Sequence, residues 1–184
     1  LYAGAAKGAT VAAWKQSARG ERAHLWGTTY GQVLLDLVKA FETVPRAILA
    51  DMARAKGYPL ALLRLCLAAY RLNRTVCIEG IYSKKIKAPR GITAGSGTAT
   101  MELRRSLLDC MHQLESTYGT VLITKLDVDD LTLAARGNPT MVIEVLTAAL
   151  NDVCHDFEQV LKMKVSTTKS VVVASLPSVA VAVA

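Results

Sequence analysis

Two acidic positions stand out because their neighbours give no other reason for a charge. Asp36 lies inside the apolar run 32–38 (QVLLDLV), and Asp129-Asp130 lies inside LDVDDLTL. A buried carboxylate is costly, and three close together repel one another. If the two segments are neighbouring strands of one sheet, these acids meet despite their distance in sequence. A divalent cation best offsets the repulsion, because Mg²⁺ takes hard oxygen ligands and bridges carboxylates to substrate phosphates. Two such ions about 3.5–4 Å apart clamp the attacking and leaving oxygens of a phosphoryl transfer. Asp129-Asp130 also suits a plain hairpin turn, where Asp is common for conformational reasons. A turn does not account for Asp36.

The surrounding pattern supplies elements to carry these acids. Residues 1–31 read as an irregular lead-in with a helix around 12–23. Residues 32–38 read as a buried strand. Helices follow over 45–56, with Pro45 in the first turn and Gly57 at the end, and over 59–72, with Leu62, Leu63, Cys66 and Tyr70 at helical spacing. Strands are expected at 75–79 and 84–89 around a turn at 80–83. A loop with three glycines, 90–97, precedes a long helix over 98–116. Residues 121–125 and 131–135 alternate as strands flanking the acids 127–130, a β-hairpin. After the breaker Gly137-Asn138-Pro139 come a helix over 140–161 and a last strand over 165–174. The order predicts an α+β fold, an antiparallel sheet with helices packed on one face.

Composition narrows the classes. The 184 residues are 52% hydrophobic and 20% charged, which predicts one folded core. A net charge of +7, from 22 basic and 15 acidic residues, suits a polyanionic partner. No secretory pattern opens the chain, and no apolar stretch has the length of a membrane span. The apolar tail beginning at Val171 is read as a strand followed by a cut edge. Cys66, Cys77, Cys110 and Cys154 form no CxxC pair. With His24, His112 and His155 they make no zinc spacing. Reduced, structural cysteines suit an intracellular protein, nuclear and cytoplasmic being indistinguishable.

Four segments then resemble one known family, the reverse transcriptases of non-LTR (LINE-type) retrotransposons. Residues 36–45, DLVKAFETVP, resemble motif A, usually DLSKAFDTVP. Residues 90–96, RGITAGS, resemble motif B, usually RGxxQGS. Residues 128–131, VDDL, resemble the xDD turn of motif C, and residues 161–170, LKMKVSTTKS, resemble motif D, with Lys169 at its lysine. They occur in the family's order. The resemblance implies a right-hand polymerase palm over residues 31–175, a lead-in or partial fingers over 1–30 and a truncated tail over 176–184. It implies RNA-directed DNA polymerase activity on an RNA template, a DNA primer and dNTPs. Asp36, Asp129 and Asp130 would be catalytic. With the Leu37 carbonyl they would hold two Mg²⁺ ions, Mn²⁺ being a substitute. Phe41, Gly95, Ser96 and Lys169 would contact substrate. Phe41 would exclude a 2′-hydroxyl, and Lys169 would neutralise or protonate the leaving pyrophosphate.

The match has departures. Asp127 stands where the family has an aromatic, adding a negative charge on the side of Asp129. Ala94 replaces the motif B glutamine, and Ala99-Thr100 replaces its Ser-Pro. No fingers segment is recognisable before Gly31, and no thumb after Ala174, so these would come from the parent polyprotein. The competing readings are an inactive palm remnant that at most binds nucleic acid, and a viral RNA-dependent RNA polymerase palm, against which Phe41 argues.

Overall fold

A computed structural model describes residues 9–184; the first eight residues of the expected lead-in lie outside them. The helices are α1 (Ala9–Leu25), α2 (Ala40–Thr43), α3 (Arg46–Ala55), α4 (Leu60–Tyr70), α5 (Ala99–Tyr118), α6 (Pro139–His155) and α7 (Pro177–Val183). The strands are β1 (Thr29–Leu35), β2 (Cys77–Ile78), β3 (Ile81–Tyr82), β4 (Leu122–Asp127), β5 (Asp130–Gly137) and β6 (Val171–Ala174). β4, β5, β1 and β6 form one antiparallel sheet in that order, and β2 and β3 form a separate hairpin.

Alternation along the strands gives the sheet two unlike faces. Val33 and Leu35 on β1, Leu131 and Leu133 on β5, and Leu122 and Leu126 on β4 point to the buried face. α5 and α6 cover it. α5 contributes Leu103, Leu107, Cys110, Met111 and Leu114, and α6 contributes Val142, Leu146, Ala149 and Val153, each set at helical spacing. Each Leu sealed there contributes about 1.5–3 kcal/mol. α6 starts where it does because Pro139 presets the first turn and the Asn138 side chain accepts from Met141 N at 2.8 Å. It can lie close to the sheet because Gly31 has no Cβ, which would stand 2.8 Å from Leu146 Cδ1. The opposite face carries Tyr30, Gln32, Ala134, Ile123 and Thr132. α1 crosses part of it, burying Ala23 beside Tyr30 and donating from Gln16 Nε2 to Thr132 Oγ1 at 3.1 Å.

The expected fold class stands, with local differences. β1 ends at Leu35, so Asp36 lies just past the strand rather than inside it. The small hairpin turns earlier than expected: Glu79 and Gly80 both have positive φ, 49° and 83°, a tight two-residue loop that places β3 at Ile81–Tyr82. The last strand starts at Val171 instead of 165, because Ser166 diverts the chain. Its carbonyl accepts from Ser170 N at 3.0 Å and its hydroxyl from Lys169 N at 3.3 Å, a local turn that competes with the ladder. α6 gives way to a wider turn, Asp156–Val160, before the expected end. The apolar tail does not stay an open edge: α7 packs on α6 and buries Val179 and Val183. Among the described residues no helix is long and apolar enough to cross a membrane.

All four cysteines are free. Cys110 is buried, and burial pushes its thiol up to about 12, with Asp156 and Asp152 adding to the shift. Cys77 is exposed on the projecting hairpin. A thiol reagent at neutral pH should therefore modify Cys77 at once and Cys110 only on unfolding, since the thiolate is the reactive form. Equal rates at the two sites in a mass-spectrometric time course would contradict this packing.

Candidate active site

The sheet register gathers the acids. β1 and β5 pair Leu35 with Leu131, so one further step sets Asp36 opposite Asp130. β4 and β5 pair Asp127 with Asp130. Residues opposed in this way project to the same face, so Asp36, Asp127 and Asp130 share the open face at one end of the sheet. Asp36, Asp127 and Asp130 line a common cavity there with Lys125 and Lys169. Asp129 follows in the two-residue loop. Its predecessor Val128 holds φ 61°, a left-handed conformation that a β-branched residue adopts only under strain, at a cost of about 1–3 kcal/mol.

Residues 164–170 fold back onto the end of β1 and add a lysine. Val38 N donates to Lys164 O at 2.9 Å, and Ser166 N donates to Asp36 O at 2.8 Å. Asp36 N donates to Ser170 Oγ at 3.3 Å. This clasp holds Lys169 Nζ 3.5 Å from Asp36 Oδ2. That oxygen is buried and, among the described residues, accepts no hydrogen bond. The Leu37 side chain is buried, and its carbonyl takes no part in the clasp.

The electrostatics follow from crowding. Burial raises the Asp129 pKa; the negative charges of Asp36 and Glu42 push the same way, while its own backbone and Lys169 oppose them. Burial also raises Asp130, helped by Asp129, Asp36 and Asp127 and opposed by Lys169. Asp127, the departure that adds a negative charge, faces Lys125 Nζ at 3.9 Å, which offsets part of it. Four carboxylates thus stand against two ammonium groups. Among the described residues no three Asp, Glu, His or Cys side chains converge tightly enough to hold a metal ion unaided.

The glycine-rich loop is fastened to the acid-bearing segment rather than to the acids. Gly91 N donates to Val44 O at 2.8 Å and Ile92 N to Phe41 O at 2.7 Å. Phe41 is half-buried against the main core. Gly95 is exposed with φ 85°, and the bonds of Ser96 go to Thr93, Tyr70 and Thr98. Two residues that motif spacing passed over bind this loop in place. Arg46 donates from Nε to Gly91 O at 2.6 Å, and from its two terminal nitrogens to Ala88 O and Arg90 O, both at 3.1 Å. Glu102, fully buried, accepts from Tyr70 Oη at 2.9 Å, and Tyr70 also reaches Ser96 and Thr98. The sequence did carry a signal for Glu102: a carboxylate beside the apolar stripe that runs through Ala99, Leu103 and Leu107. Arg46 carried none.

No family profile matches the sequence, and no curated protein does. Among solved structures the chain is similar to telomerase of Candida tropicalis truncated from its C-terminal domain, with a TM-score of 0.65 at 12% identity over 92% of this chain and 36% of that one. It is also similar to Candida albicans telomerase in complex with a TWJ fragment of telomeric RNA, with a TM-score of 0.61 at 13% identity over 90% of this chain and 31% of that one. The chain thus spans about a third of those chains, and at such identities the likeness is one of fold.

Proposed function

We propose that this chain is the palm, residues 31–175, of a LINE-type retrotransposon reverse transcriptase that adds dNTPs to a primer 3′-hydroxyl on an RNA template. One observation carries the reading: Asp36 and Asp130, distant in sequence, meet across β1 and β5 beside Asp129, with Lys169 clasped against them. The similarity of fold to telomerases, one of them solved with RNA, agrees with a nucleic-acid partner. The donor set suits a hard cation, being all-oxygen, over-acidic and including a buried carboxylate oxygen without a hydrogen bond. Asp36, Asp129 and Asp130 would hold Mg²⁺, with the Leu37 carbonyl near. A Mg²⁺ held by one or two carboxylates and completed by substrate phosphates needs no protein cage. When bound, the metal supplies charge stabilisation to the in-line displacement. The chain itself would orient the primer end against the acids, and Lys169, 3.5 Å from Asp36, would neutralise the leaving anion. Fingers and thumb come from the parent polyprotein.

The test is extension of a primed RNA template with Mg²⁺ by the chain rejoined to its flanking segments. Extension with dNTPs and not rNTPs is expected; no extension under any dNTP condition sinks the reading. Phe41→Ala opens space under the 2′-carbon. Its expected effect is a gain in rNTP use of at least about tenfold with dNTP use retained, since one steric contact is worth about 1–3 kcal/mol of discrimination. Unchanged sugar choice would remove Phe41 from that role. A second reading, an inactive remnant that binds nucleic acid, draws on Ala94, which offers no side-chain amide to a template–nucleotide pair.

A further inference from the structure

At the other end of the same sheet face, α1 and the sheet enclose a second cavity of about 390 Å³. Lys15, Arg19 and Arg22 reach it from α1 and Arg136 from β5, and among the described residues no carboxylate lines it. The three helix residues follow i, i+4, i+7 spacing, so one helix face presents three cations. Like charges at that spacing destabilise a helix. Two of the cations are held in place: the Arg22 and Arg136 guanidiniums lie over the Trp26 ring, 4.2 Å and 4.9 Å from its centroid. Tyr30 forms part of the wall; its hydroxyl donates to Gln32 Oε1 at 2.9 Å, and Arg19 acts on it through space. Planar guanidiniums fixed around a concave surface match phosphate oxygens better than a diffuse basic patch does.

We propose that this cavity anchors a backbone phosphate of a nucleic-acid strand lying beside α1, along the β4 side of the face, toward the acids. Binding at the cavity stands on these cations alone, while the direction of the strand rests on the polymerase reading. Tyr30 at the cavity lies on β1 and Asp36 at the acid site one residue past its end, about 20 Å apart at roughly 3.3 Å per residue. Phosphates of one strand wind around the axis as well as rising ~3.4 Å along it, so a separation of about 20 Å matches phosphates roughly three to four nucleotides apart. The anchored phosphate therefore sits roughly three to four nucleotides from a primer 3′-end placed at Asp36.

The probe is a fluorescein-labelled DNA primer on an RNA template, titrated by anisotropy at several salt concentrations without metal or nucleotide. In Lys15→Gln/Arg19→Gln the slope of log affinity against log salt should shrink by about one, the share of one phosphate, and in Lys15→Gln alone by part of that. The exposed Lys15 keeps the single variant informative if the double variant folds poorly. Lys84→Gln/Lys85→Gln, on the exposed hairpin, should change the slope less. An unchanged slope in the cavity variants, or an equal loss in the hairpin variant, overturns the site. A single neutral methylphosphonate walked along the primer should weaken wild-type binding most roughly three to four nucleotides from the 3′-end, and the peak should vanish in the double variant. A flat profile overturns the alignment. This binding pattern without primer extension in the rejoined enzyme would sink the polymerase reading alone.

Discussion

Asp36→Asn and Asp129→Asn should each lower primer extension by at least about 10²–10³-fold, the loss typical of removing one preorganised electrostatic contact. The substitutions keep side-chain size while removing a negative charge. Template affinity should hold within about twofold, because the basic surface that binds phosphates is untouched. Stability should hold too. Neutralising Asp36 weakens its pairing with Lys169 but relieves the repulsion that raises Asp129 and Asp130. These opposing effects on partly exposed groups should leave Tm within about 2–4 °C of wild type, the shift expected for about 1 kcal/mol. Measured together, extension, affinity and Tm separate a catalytic carboxylate from a structural one. If Asp36→Asn extends primers at the wild-type rate, Asp36 is no metal ligand, and the assignment of motif A fails with it.

Gly91→Ala should be the most damaging single substitution outside the sheet core. Gly91 is buried at φ 88°, where an L side chain is strained, and a Cβ there would overlap the Glu42 carbonyl and lie 2.7 Å from Glu42 Cα. The obstacle is backbone, which cannot swing aside. The same residue donates to Val44 O and accepts from Arg46 Nε, so moving it breaks the join between the acid-bearing segment and the glycine-rich loop. The expected cost is about 3 kcal/mol or more, a fall in Tm of roughly 6–12 °C. Gly95→Ala is the control, because nothing lies within 4 Å of its Cβ position although its φ is also positive, 85°. It should lose only the conformational part, about 1 kcal/mol. Equal losses at the two positions would show that backbone conformation, not the close approach to Glu42, makes Gly91 necessary.

Sequence alone determined the elements and the kind of fold. Strand and helix periods are local: Leu131 and Leu133 alternate with polar neighbours, and Leu103, Leu107 and Leu114 repeat at helical spacing, so each segment declares which side it buries. The acids were legible for the same reason, since a charge at Asp36 after an apolar run contradicts its surroundings, and the order of four motifs gave them a shared meaning. Element ends were less legible. Hydrogen bonds made far along the chain set them, as Ser166 and Ser170 did by capturing the backbone of Asp36. Only the tertiary structure decided that Asp36 and Asp130 face each other, because register depends on pairing between β1 and β5, which no local pattern encodes. It likewise decided that Lys169 closes on Asp36, that Lys125 answers Asp127, and that Arg46 holds the Gly91 loop by three carbonyls. The cationic cavity under α1 was invisible in one dimension. Lys15, Arg19 and Arg22 share one helix face, but only the fold sets Arg136 and Trp26 beside them. Charge is additive along a sequence, but a site exists only where the chain's return path brings charges within reach of one ligand.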